Sequence, residues 1–246
     1  MEFDAHNLLA IAVGAFFIGF FKSTFSMACG ILLVPFMVMF WPTRFVLGLI
    51  SVLMWATDYV LIRMFWRQWE GRLIKLVVPG FIGGILIGTT ILVALPDFWI
   101  KKLIGLGCLV FVVAQGWGEL RGGLASPRVG PAAGVGVGLV GGTVSALTHS
   151  GGIVLTLYFL SQGIEKTSLV ASILVTWLWV NPVKMASYWV GGLVDLRLFL
   201  ACVAMVPLSF FGGWLGKRLL DRIPQRAFNL TLLALSAVAG ARLLWV

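Results

Sequence analysis

The sequence predicts an all-α integral membrane protein made of two inverted repeats, each a broken, re-entrant hairpin followed by three transmembrane helices. Three observations lead there. Only 11% of the 246 residues are charged while 60% are hydrophobic, and the mean hydropathy is +1.04. A water-soluble globule needs a polar shell and carries about 25% charged residues. Apolar stretches of the length that crosses a ~30 Å hydrocarbon core recur along the whole chain. Breakers also repeat at a constant shift: Pro79, Gly84, Gly88 and Pro96 fall on Pro207, Gly212, Gly216 and Pro224 at an offset of 128.

The first stretch, residues 7–40, is apolar for 34 positions, too long for one untilted crossing. It is interrupted by Lys22, Ser23, Thr24, Ser26 and Gly30. Small and hydroxylated residues at membrane depth are what a broken helix uses to satisfy freed backbone groups. Residues 43–66, 73–95 and 98–118 then read as three plain membrane helices, separated by Trp69-Glu70-Gly71-Arg72 and Pro96-Asp97. The polar run 120–128 is the junction between halves 1–125 and 126–246. The second interrupted stretch, 129–161, carries Gly141, Gly142, Thr143, Ser145, Thr148, His149, Ser150, Gly151 and Gly152. Gly14, Gly19 and Gly30 meet Gly136, Gly141 and Gly152 at an offset of 122. Residues 167–189, 197–220 and 226–245 complete the second set of three spans.

Topology follows from the two interrupted stretches. If each crosses once, there are eight plain helices in parallel repeats, and the loop Lys and Arg divide eight against eight. If each is a hairpin returning to its own side, the halves are inverted and the count is five (Arg44, Lys101, Lys102, Arg197, Arg242) against eleven. Basic residues collect in cytoplasmic loops, so the inverted arrangement places both termini in the periplasm. The formal charge of +9 is then a property of the loops, not of a nucleic-acid surface. Cys29, Cys108 and Cys202 lack metal or redox spacing and read as small hydrophobes. The first residues, Met1 to His6, have no basic n-region, so a cleaved signal peptide is not expected.

No phosphate-binding G-x-x-x-x-G-K-[ST], H-E-x-x-H or Ser/His/Asp arrangement is present, so neither an enzyme nor a cofactor or metal site is expected. The chemistry rests instead on ionisable groups at membrane depth, which are costly to bury. Lys22 with Ser23, Thr24 and Ser26, and His149 with Thr148, Ser150 and Gly151, form two interruptions that face each other under the inverted topology. Ammonium, imidazole, hydroxyl and free backbone N–H groups together suit a small anion with several oxygens. Lys22 is expected to matter more for that anion than Lys184. Asp58, Asn181 and Lys184 are coupling or helix-pairing candidates, with Asp58 paired to Lys184 or Arg63. The spacings Gly84/Gly88 and Gly212/Gly216 allow close helix approach, mainly within the chain, with a homodimer as the other use. Trp41, Trp66, Trp69, Trp99, Trp117, Trp189 and Trp245 read as interfacial anchors.

The two glycine-rich broken openings, Gly14-x4-Gly19…Gly30-Ile31-Leu32-Leu33-Val34-Pro35 and Gly136-x4-Gly141…Gly151-Gly152-Ile153, resemble the TauE/SafE sulfite exporter family. So does the run Tyr188, Gly191, Gly192, Val194, Asp195 ahead of a glycine-spaced helix. The resemblance implies a multi-pass protein of the bacterial inner membrane that exports a small organosulfur anion such as sulfite, sulfoacetate or a related sulfonate. The sequence departs from that pattern in having Lys22, Ser23, Thr24 and Ser26 at the first interruption and Leu157 where the first half has Pro35.

Overall fold

A computed structural model describes residues 5–25, 29–61, 67–120, 130–220 and 225–245. Among these, every regular element is helical. The helices are α1 (Ala5–Phe25), α2 (Cys29–Val38), α3 (Thr43–Leu61), α4 (Gly71–Ala94), α5 (Asp97–Leu120), α6 (Gly134–Thr148), α7 (Gly151–Ser161), α8 (Lys166–Val190), α9 (Leu196–Ala204), α10 (Val206–Leu220) and α11 (Gln225–Trp245). A single 3₁₀ turn, Pro131–Ala133, leads into α6. Helices α1, α4 and α8 are long and apolar enough to cross a membrane, as are α9 and α10 taken together. Large apolar side chains such as Val110, Val113, Phe211 and Val238 face outward, as they do where the surrounding solvent is lipid.

Both interrupted stretches are helical hairpins. In the first, Trp41 Nε1 donates to the His6 carbonyl at 3.2 Å, and Cys29 Sγ donates to the Ile18 carbonyl at 3.8 Å. In the second, Gly134 lies against Tyr158, and Gly141 against Gly151 and Val154. Contacts that pair the start of one helix with the end of the next describe two antiparallel arms. Helices α2 and α7 have 10 and 11 residues, about 15 and 16 Å at 1.5 Å per residue, roughly half a membrane crossing.

The second turn owes its shape to His149. It caps α6 in the left-handed conformation (φ 57°), and its N–H donates to the Ser145 carbonyl at 3.0 Å. A C-terminal residue in that conformation is the usual way to end a helix, with glycine the usual occupant. The first turn, residues 26–28, lies outside the described residues, and Ser26 with it.

Glycines set the closest packing. A methyl group at Gly80, Gly84 or Gly88 of α4 would lie 2.0 to 2.8 Å from backbone or Cβ atoms of α6. Val135, Leu139 and Thr143 meet those three glycines in step, so α4 and α6 run parallel. Helices α1 and α10 pair in the same manner, with Gly19 against the Ser209 carbonyl and Gly212 against that of Phe16. These surfaces are occupied within one chain, so they offer no dimer face. Helices α5 and α11 pack antiparallel: Lys102 donates to the Leu244 carbonyl, and Gly105 faces Gly240.

Two expectations are corrected. The span 197–220 is not one helix: α9 ends at Ala204 and α10 leaves at 45° after Met205. Pro207 lacks an N–H, and its ring would clash with the Val203 carbonyl in a continuous helix, whereas in the first turn of a new helix both problems vanish. Trp41 is buried rather than interfacial, stacked on His6 with ring centroids 5.1 Å apart at the base of the first hairpin. Trp99, Trp189 and Trp245 are exposed at helix ends, while Trp66 lies outside the described residues.

Candidate functional site

The two hairpin tips touch. A methyl group at Gly30 of α2 would lie 2.3 Å from the His149 carbonyl oxygen. Around that contact is a small polar cavity of about 30 Å³. The first hairpin contributes Lys22, Cys29 and Gly30, and the second contributes Ser145 and His149. Helix α3 adds Met54 and Asp58, one turn apart, and α8 adds Trp177, Asn181 and Lys184. Asn181 and Trp177 sit near the middle of α8, where Pro182 removes the hydrogen bond that would reach the Leu178 carbonyl.

The charged groups here are almost fully enclosed, with 6% of Lys22, 2% of Asp58, 2% of Lys184 and 7% of His149 exposed. Each half supplies one lysine, held differently. Lys22 Nζ lies 2.6 Å from Asp58 Oδ1 and donates to Thr57 Oγ1 at 2.8 Å and to the Met54 carbonyl at 2.9 Å. An ammonium has three protons, and all three are taken. The other carboxylate oxygen of Asp58 accepts from Asn181 Nδ2 at 2.5 Å, which ties the first tip, α3 and α8 together. The ion pair expected between Asp58 and Lys184 is therefore absent, and Arg63, the other partner expected, lies outside the described residues. Lys22 holds Asp58 instead, reached across a hairpin turn that linear spacing does not reveal.

Lys184 donates to the Ser145 carbonyl at 2.6 Å and to Ser145 Oγ at 3.2 Å, and its Nζ lies 5.6 Å from the centre of the Tyr188 ring. Among the described residues no carboxylate pairs with it. Among the described residues two of its three protons are used and one is left. His149 is left more completely: neither ring nitrogen has a hydrogen-bond partner among the described residues. Tyr188, donating to the Ala146 carbonyl, pins α6 to α8 just behind the tip, with its ring 6.1 Å from that of His149.

Other residues singled out in the sequence lie differently. Thr148 and Ser150 are buried, but their hydroxyls donate back to the carbonyls of Val144 and Thr148. Gly151 packs on the Gly141 carbonyl behind the tip. Ser23 and Thr24 belong to the last turn of α1, and their side chains lie outside what is described. Ser145, Met54, Trp177 and Cys29 were missed. A signal for three of them exists: at an offset of 123, Lys22 falls on Ser145, Met54 on Trp177 and Asp58 on Asn181. Tyr188, Gly192 and Asp195 have structural roles. Gly192 turns the chain at φ 73°, and Asp195 caps α9 by accepting from the Leu198 N–H at 2.7 Å.

The described residues thus form an all-helical protein with apolar candidate spans, in which two hairpins meet at a buried, positively biased cavity, and the similarity to known proteins gives its class, that of membrane transporters. The chain is a member of the TauE/SafE sulfite exporter family, whose profile matches residues 11–243. It is 28% identical over 181 residues to the probable inner membrane transporter protein TsaS of Comamonas testosteroni, a match covering 72% of this chain and 73% of the relative. No solved structure gives a significant match. The protein is thus a multi-pass inner-membrane transporter.

Proposed function

We propose that this protein is a secondary transporter that exports a small organosulfur anion, sulfite or a sulfonate such as sulfoacetate, by alternating access between two inverted halves. The observation that carries the reading is the pair of unspent groups at the tips. Among the described residues Lys184 keeps a free proton and His149 two unpartnered ring nitrogens, on the wall of one buried cavity. In a low-dielectric interior such donors are worth most when an anion accepts from them.

Several contacts support the inverted division into 1–125 and 126–246. Gly84 sits on the Leu139 carbonyl and Gly212 on the Phe16 carbonyl, so the same contact is made with the halves exchanged. The matched helices α5 and α11 run in opposite directions, as inversion requires. An anion leaving the cytoplasm is driven by an inside-negative potential with about 2.3 kcal/mol per charge per 100 mV, so export needs no ATPase. The cavity holds about two water molecules in this conformation, so the anion enters only after the tips move apart.

The donor count reverses the order expected for the two lysines. In proteoliposomes with an imposed potential, labelled sulfite or sulfoacetate should move faster than in empty vesicles, and Lys184→Ala should slow it at least tenfold. Wild-type vesicles that move neither anion faster than lipid alone would remove the proposal.

A further inference from the structure

On the reading that this cavity binds the exported anion, we infer that His149 sets the charge of the cargo, taking up a proton with a dianion and none with a monoanion. The groups facing His149 are fixed by the packing. Lys22 comes from α1, Cys29 from α2, Asp58 from α3, and Lys184 and Tyr188 from α8; α6 contributes the hydroxyl of Ser145. Cys29 and Tyr188 carry no charge. With Lys184 counted as an ammonium, two lysines and one carboxylate leave a single positive charge among these almost fully buried groups.

A monoanion brings that space to neutrality with the imidazole uncharged. A dianion leaves one negative charge uncompensated at membrane depth, which a protein avoids by changing a protonation state. Lys22 and Asp58 are committed to each other, with the remaining protons of Lys22 held by Thr57 and Met54. His149 is the wall side chain left to take up a proton when a dianion arrives, because both its ring nitrogens lack a hydrogen-bond partner among the described residues. Its position is fixed by its backbone: the left-handed turn and the N–H bond to Ser145 hold the ring at the tip.

The test compares ethanesulfonate, a monoanion, with sulfoacetate, a dianion of similar size, in calorimetric titrations of the purified protein at pH 7.5. Repeating each titration in buffers of different ionisation enthalpy gives the protons taken up per anion bound. Sulfoacetate should take up about one proton more than ethanesulfonate. In His149→Asn, whose side chain tolerates the left-handed backbone, both anions should bind more weakly and that difference should vanish. The wild type alone gives a second readout: the Kd of sulfoacetate should rise up to tenfold per pH unit above neutrality, while that of ethanesulfonate stays flat. Equal proton counts for the two anions, or a difference that survives in His149→Asn, overturns the inference. If neither anion binds, the anion site itself is wrong and the inference falls with it.

Discussion

Asp58 is the one carboxylate on the cavity wall among the described residues, and Lys22 and Asn181 both depend on it. Replacing it with asparagine leaves the Lys22 ammonium buried without a counter-charge, a loss of about 3–5 kcal/mol for a pair of this kind. Asp58→Asn should therefore lower the unfolding midpoint in detergent sharply. The double variant Lys22→Met with Asp58→Leu, which removes both charges, should recover most of that stability. Equal destabilisation by the single and double changes would show that the pair is not a unit. The sequence made Lys22, Asp58, His149 and Lys184 visible because charge at membrane depth is rare. It did not show who pairs with whom, since Lys22 meets Asp58 through a hairpin tip. Ser145 was marked only by the offset of 123 that sets it on Lys22, because a serine on the wall of a cavity otherwise looks like any serine inside a helix.

At the level of helices, the glycines divide into those that hold a neighbour and those that do not. A methyl group at Gly84 would sit 2.1 Å from the Leu139 carbonyl oxygen, whereas one at Gly136 meets nothing within 4 Å. Gly84→Ala should destabilise by about 1–3 kcal/mol through forced separation of α4 from α6. Gly136→Ala should be neutral or stabilising by up to about 1 kcal/mol, because alanine favours the helix. Thermal unfolding of the two variants side by side checks this. The G-x-x-x-G spacing made the first of these surfaces readable. The break at Met205 was not readable, because its counterpart Pro79 lies inside an uninterrupted α4. A proline says where a helix loses a hydrogen bond, while the surrounding packing determines whether the chain bends or restarts. Arg44, donating twice to the Val93 and Leu95 carbonyls at 3.0 Å, ties the start of α3 to the end of α4 and places both ends on one side.

For the molecule as a whole, breakers at fixed offsets are the ground on which the repeat is proposed, and the hairpins were legible from apolar stretches too long for one crossing and too polar in the middle. What the sequence left open was whether those stretches fold back. The contacts of His6 with Trp41 and of Gly134 with Tyr158 show that they do. If the halves are inverted as proposed, both termini are expected outside. Cysteines placed at Ala5 or Trp245 should react with a membrane-impermeant maleimide in intact cells, and one at Gly130 only after permeabilisation. Labelling of the termini only after permeabilisation reverses the orientation. The native cysteines, Cys29, Cys108 and Cys202, are buried and should stay silent. The seam where Gly30 meets the His149 carbonyl carries a further consequence. Because it is backbone against backbone, any side chain added at Gly30 must push the two tips apart.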